Sequence, residues 1–137
     1  MIIRCITNTV DDELTIKLGL GKFAPKFFSN LSPGSEYVAL GISYIPKSEA
    51  FGISPTVMVK NDRGGLSFAP LALFEITEGT PSRYWEIRWS IDGVLKMWPI
   101  SFYNQYYHDD LLEGVENVKR DFEVVVKKLQ KEANREY

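Results

Sequence analysis

The sequence predicts an α+β fold: a twisted, mostly antiparallel sheet with a C-terminal helix packed against it. Three observations carry this expectation. Residues 1 to about 100 consist of short runs favouring extended backbone, punctuated by Gly, Pro, Asn and Asp. Asp92-Gly93 joins two of these runs as a hairpin turn would. From about residue 104 the pattern changes, and apolar side chains recur every three or four positions. Strands followed by helix in this order read as α+β. The expected sheet has roughly five or six strands, with an SH3-like barrel as its curled form. The length fits one domain, residues 1–137. It divides into a sheet region over 1–100, with loop excursions at 9–33 and 45–55, and a helical region over 104–134.

Ile2, Ile3, Cys5 and Ile6 make the first strand, ended by Thr7-Asn8-Thr9. Asp11-Asp12-Glu13-Leu14 offers a helical start, and Gly19, Gly21 and Pro25 break regular structure after it. The 9–33 segment, helical or irregular, is expected to pack Leu18, Leu20, Phe23, Phe27 and Phe28 onto the sheet. Ser32-Pro33-Gly34-Ser35 is a turn, and Glu36 to Tyr44 is rich in strand-favouring residues. Ile45 to Pro55 reads as loop, because it holds two prolines and Gly52. Thr56–Lys60 and Leu66–Ala69 flank the turn cluster Asn61–Gly65 and form a hairpin. Pro70 suits the first position of a short helical turn through Leu73, and Phe74–Thr77 returns to strand.

A two-residue Asp92-Gly93 turn would pair Ile91 with Val94, Trp89 with Lys96 and Ile87 with Trp98. Trp85, Ile87, Trp89, Ile91, Val94, Lys96 and Trp98 would then share one face. An exposed cation–π pair of Trp89 with Lys96 would contribute ~0.5–1 kcal/mol. In the C-terminal segment Leu111, Val115, Val118, Phe122, Val125 and Leu129 form one apolar stripe expected to face the sheet. Asp109 and Asp110 sit where carboxylates favour a helix start, and Gly114 divides a short helix from a longer one.

With 45% hydrophobic and 13% aromatic residues, the chain has material for an ordered core. Its formal net charge of −2 lacks the basic excess of a nucleic-acid binder and leans towards a basic partner. No apolar run reaches the roughly 18 residues of a membrane span. The short apolar start followed by Asp11, Asp12 and Glu13 is unlike a signal peptide, and a lone cysteine forms no internal disulfide. A cytoplasmic location is expected.

Chemistry-bearing residues are scarce: one histidine, His108, and one cysteine, Cys5, about a hundred positions apart. His108 beside Asp109 and Asp110 is a candidate general base or metal ligand. Neighbours in a regular element do not converge on one point, however, and there is no second histidine. Cys5 among isoleucines reads as a buried apolar residue. Gly19 and Gly21 before Lys22 lack the full spacing of a phosphate loop. The expectation is a protein without catalytic, cofactor-binding or metal-binding residues. A different patch fits protein binding: Tyr103, Tyr106 and Tyr107 with Asp109, Asp110 and Glu113 set aromatic anchors among acids.

Four stretches, taken in order, carry a resemblance. They are Ser35-Glu36-Tyr37-Val38-Ala39-Leu40-Gly41-Ile42-Ser43, then Leu66-Ser67-Phe68-Ala69-Pro70-Leu71-Ala72-Leu73-Phe74-Glu75-Ile76, and Pro81-Ser82-Arg83-Tyr84-Trp85 followed by Tyr107-His108-Asp109-Asp110-Leu111-Leu112-Glu113-Gly114. This order of packing residues, over roughly residues 35 to 130, resembles small bacterial immunity proteins of polymorphic toxin and contact-dependent growth inhibition systems. The chain departs from that pattern at Thr9–Pro33 and Ile45–Pro55, where shorter connections would be expected. The resemblance implies a cytoplasmic, non-enzymatic protein that binds a cognate toxin domain, a basic nuclease by its charge, and covers its active site. It implies no cofactor, no direct nucleic-acid contact and no membrane. The alternatives are an interaction adaptor of phage or regulatory type, or a small ligand-binding barrel with a polar pocket near His108.

Overall fold

The computed structural model describes residues 1–21, 24–46 and 51–134. In chain order the elements are β1 (Ile2–Cys5), α1 (Asp12–Leu18), β2 (Glu36–Val38), β3 (Gly41–Tyr44), β4 (Thr56–Lys60), β5 (Leu66–Pro70) and β6 (Phe74–Glu78). They continue with β7 (Trp85–Trp89), β8 (Leu95–Pro99), α2 (Tyr107–Glu113) and α3 (Glu116–Ala133). Single 3₁₀ turns at Leu71–Leu73 and Ile100–Tyr103 follow β5 and β8. The fold is α+β, as expected, but its strands form two antiparallel sheets, ordered β2-β1-β6 and β5-β4-β3-β8-β7.

The five-stranded sheet is the middle layer. Alternation along β4 shows this: Val57 and Val59 join Ile3, Tyr37 and Leu73 in one core, while Met58 joins Phe102, Phe122 and Leu129 in another. The first core lies between the sheets, and the second lies under the helices. β4 is buried on both faces and so reads as an unbroken apolar run, Val57-Met58-Val59.

The expected single strand from Glu36 to Tyr44 is two strands in different sheets. The chain bends at Ala39-Leu40, both 1% exposed. Ala39 N–H donates to Met1 O (3.1 Å) on the first sheet, and Leu40 N–H to Met58 O (2.8 Å) on the second. A residue pair bonded to both sheets is a corner, which period-two alternation cannot reveal. The turn at Leu71–Leu73 passes the chain back to the first sheet, where Ile6 N–H donates to Leu73 O (2.8 Å). Despite the two crossings no closed barrel forms among the described residues: β7 is an edge paired only with β8. The corner and the division into two sheets also explain why eight strands occur rather than five or six.

The β7–β8 hairpin is out of the expected register by one residue. Ser90 N–H donates to Val94 O (3.0 Å) and Gly93 N–H to Ser90 O (2.9 Å), leaving a three-residue loop of Ile91, Asp92 and Gly93. Gly93 takes φ +84°, the left-handed residue that closes such a loop with a bulge. Trp89 therefore pairs with Leu95, Arg88 with Lys96, Ile87 with Met97 and Glu86 with Trp98. A one-residue slip moves a strand's whole side-chain set to the other face of its partner. Trp98 goes to the helix side, 9% exposed, with Lys96 Nζ 4.5 Å from its ring centroid. Trp89 stays on the opposite face and has no cation–π contact with Lys96.

The helical stripe is also adjusted. α3 buries Phe122, Val126 and Leu129, with Val118 and Val125 flanking them. Val115 caps the helix from outside and is 37% exposed. Leu111, on α2, packs against the same core. In the first excursion Asp11 caps α1, its carboxylate accepting from Leu14 N–H (2.7 Å). The excursion is anchored by Val10, Ala24 and Leu31, which are buried. Leu20 and Phe28 pack against the core edge, but Phe27 is 60% exposed; Phe23 lies outside the described residues. The two excursions meet where Ile53 N–H donates to Leu18 O (2.8 Å).

Candidate protein-binding surfaces

Cys5 is buried in the core between the sheets, where burial pushes its thiol upward. His108, on α2, lies against the other core. Its ring sits 5.1–5.8 Å, centroid to centroid, from Phe68, Trp98, Phe102 and Tyr107. Nε2 is buried without a hydrogen-bond partner among the described residues. Burial, with Lys96 nearby, lowers the imidazole's proton affinity, and Asp109 opposes this only in part. A neutral histidine in an aromatic box is a packing residue by its surroundings. Among the described residues no three His, Cys, Asp or Glu side chains are grouped to hold a metal ion.

The six residues of the tyrosine–acid patch fall into two sets. Tyr107 is 4% exposed; its hydroxyl donates to Asp121 Oδ2 (2.7 Å), and burial drives the phenol far above its usual range. Tyr103 is half-buried, stacked on Trp98 at 5.1 Å, with its hydroxyl donating to Glu86 O (2.6 Å). These two tyrosines tie the 3₁₀ turn and α2 into the core. Asp109 and Glu113, four apart, lie on one exposed face of α2, and Tyr106, which precedes the helix as its cap, is exposed as well. Asp110 is half-buried beside them.

Tyr106 is 65% exposed and has φ +63°, the only non-glycine in the left-handed region among the described residues. An L-residue there costs roughly 1–2 kcal/mol. Its carbonyl accepts from Asp110 N–H (2.8 Å), so the strained residue starts the helix. Leu112, on the adjoining side of α2, is 88% exposed. No signal in the sequence marks Tyr106 apart from its two neighbours, since only packing decides which tyrosine turns inward.

Sequence reasoning missed two further surfaces. A groove of about 1060 Å³ runs between the β4–β5 turn and helices α2 and α3, beside His108. Leu66, Phe68, Phe122 and Val126 line it, with Lys60 and Arg63 on one wall and Lys119 and Lys127 on the other, against Asp109 and Glu123. The converging polar groups near His108, which the sequence did not suggest, come from segments about fifty residues apart in the chain. The other surface is on the middle sheet. Its β7–β8 end projects beyond the three-stranded sheet, leaving Ile87 66%, Trp89 70% and Leu95 37% exposed on one face. Tyr44, paired with Leu95, extends the row at 37% exposure.

Neither a protein-family model, nor a curated protein, nor a solved structure matches this chain. Among the described residues no helix is long and apolar enough to cross a membrane.

Proposed function

We propose that this chain is a non-enzymatic binding protein of the immunity type, which neutralises a cognate toxin domain in the cytoplasm by covering its active site. The observation that carries this reading is the outer face of α2. It carries the exposed Asp109 and Glu113, and the residue that caps it, Tyr106, is an exposed tyrosine in a backbone conformation that glycine or asparagine would adopt at lower cost. Strain kept at an exposed aromatic residue points to use of the ring rather than to stability. Aromatic anchors beside charges are where binding energy concentrates. The acids favour a basic partner such as a nuclease. The order of packing residues from 35 to about 130 supports the same class.

The test is association with the protein encoded immediately upstream. Co-expression should rescue cells from that protein's C-terminal domain, and the two should co-purify at micromolar concentration. Tyr106→Gly should weaken the complex by about tenfold or more, while thermal stability stays level or rises because the left-handed strain is relieved. Unchanged affinity in a folded Tyr106→Gly protein, or no association at all, would overturn the reading.

The groove beside His108 favours a second reading, a ligand-binding module for an anionic molecule with an apolar body. A shift of groove-residue NMR signals with such a ligand, without toxin rescue, would select it.

A further inference from the structure

We propose that β7 is a dimerisation edge, to which the β7 strand of a second copy of this chain adds antiparallel about a two-fold axis at Ile87. Among the described residues β7 is paired on one side only, with β8. The Ser90–Val94 bond sets the alternation of the ladder. Arg88 and Glu86 bond towards β8, and the amide and carbonyl groups of Ile87 and Trp89 face outward from the edge.

The strand's sequence, Trp85-Glu86-Ile87-Arg88-Trp89, is the same read in either direction apart from its charges, and the charges are opposite. Antiparallel pairing centred on Ile87 sets Ile87 against Ile87 on the axis, and Trp85 against the second copy's Trp89 and Glu86 against its Arg88, these last two contacts each made twice. Exposed edges are ordinarily protected by charges that repel a copy of themselves. Here the two-fold axis turns the charges into complementary cross-strand pairs. Within one chain Arg88 already meets Glu86 at 2.5 Å, with Arg88 53% and Glu86 42% exposed as side chains, so the second copy would complete a four-membered cluster on that face. On the other face Ile87 would meet its own copy and Trp89 the second copy's Trp85 across the new edge, joining the two rows that the three-stranded sheets leave bare. The product is a ten-stranded sheet built from two five-stranded ones.

Sedimentation of the full chain over a concentration series is the measurement. The wild-type protein should be a dimer at micromolar concentration. Arg88→Glu opposes two pairs of acids and should raise the dimer dissociation constant about tenfold or more. The swap Glu86→Arg with Arg88→Glu should restore it. Arg88 also lies over the Tyr103 ring at 4.0 Å, a contact the swap does not rebuild, so rescue of the dimer cannot come from that contact. Ile87→Pro removes an outward N–H that has no partner among the described residues, a change edge strands tolerate; it should yield a folded monomer even if Arg88→Glu misfolds. A wild-type monomer throughout, a dimer indifferent to Ile87→Pro, or a folded double swap that stays monomeric would overturn the proposal. Toxin binding through α2 is read separately, since none of these substitutions touches Tyr106, Asp109 or Glu113.

Discussion

His108 shows how a residue's setting outweighs its type. On paper it stands among carboxylates and tyrosines, as a general base would. In the fold it packs against four aromatic rings, and its Nε2 meets no partner among the described residues. Burial holds its pKa below the ordinary 6.5. Above that value the imidazole is neutral in both folded and unfolded chains and carries no penalty. As the pH falls below it the unfolded chain takes the proton first, so stability declines with acidification. The thermal midpoint should therefore drop between about pH 7 and pH 5, and His108→Phe should remove part of that drop while keeping the aromatic packing. An identical pH slope in the variant would mean that the imidazole is protonated freely within the fold. Asp62 contributes at more acidic pH. It accepts from Ser32 and Tyr37 (2.6 and 2.7 Å), which hold its carboxyl below the usual range, and the stability it supplies is lost as the pH falls through that lowered value.

At the scale of elements, the buried face of α3 is set by where the helix begins. Val115 belongs to the apolar stripe by spacing, yet it precedes the first helical residue, Glu116, and is not among the residues packed into the helix-side core. Once the helix starts, the period of 3.6 residues carries the buried line through Phe122, Val126 and Leu129. Phe122 is 5% exposed and Val115 37%. Phe122→Ala should cost ~3–5 kcal/mol in chemical denaturation, and Val115→Ala under about 0.5 kcal/mol. Equal losses at the two positions would show that the stripe is buried as the sequence alone implied. The β7–β8 hairpin makes the same point for strands. Asp92-Gly93 marks the turn correctly but does not choose between a two- and a three-residue loop. That choice decides whether Trp98 meets the helices or the opposite face.

At the scale of the whole molecule, the middle sheet has to accommodate a core on each side. One row of that sheet runs Glu86, Trp98, Gly41, Met58 and Phe68 beneath the helices. Trp98 fits because Gly41 has no side chain: a Cβ there would press on Met58 Cε and lie 2.8 Å from Trp98 Cδ1 and 3.1 Å from Met97 O. The methionine tip can swing aside, but the indole and the carbonyl are fixed by the core and the ladder. Gly41→Ala should destabilise the fold by about 1–3 kcal/mol and shift the tryptophan emission, since Trp98 is the ring displaced. A wild-type midpoint and spectrum would place slack in the layer where the structure shows contact. The same layering explains the exposed row on β7 and β8, because the three-stranded sheet covers only part of the five-stranded one.

Composition and periodicity by themselves determined the α+β class, the β4–β5 hairpin, the short turn after Pro70, the two C-terminal helices and the burial of Cys5. Each is a local property: propensity, turn chemistry or one amphipathic period acts within a few residues. The sheet corner at Ala39-Leu40, the hairpin register, the inward turn of Tyr103 and Tyr107, the outward turn of Tyr106, and the groove beside His108 were decided only by tertiary structure. They depend on which distant segments compete to fill the same volume and satisfy the same backbone groups. Nothing in the local order of Tyr103, Tyr106 and Tyr107 encodes which hydroxyl will find Glu86 or Asp121 and which ring will be left in water.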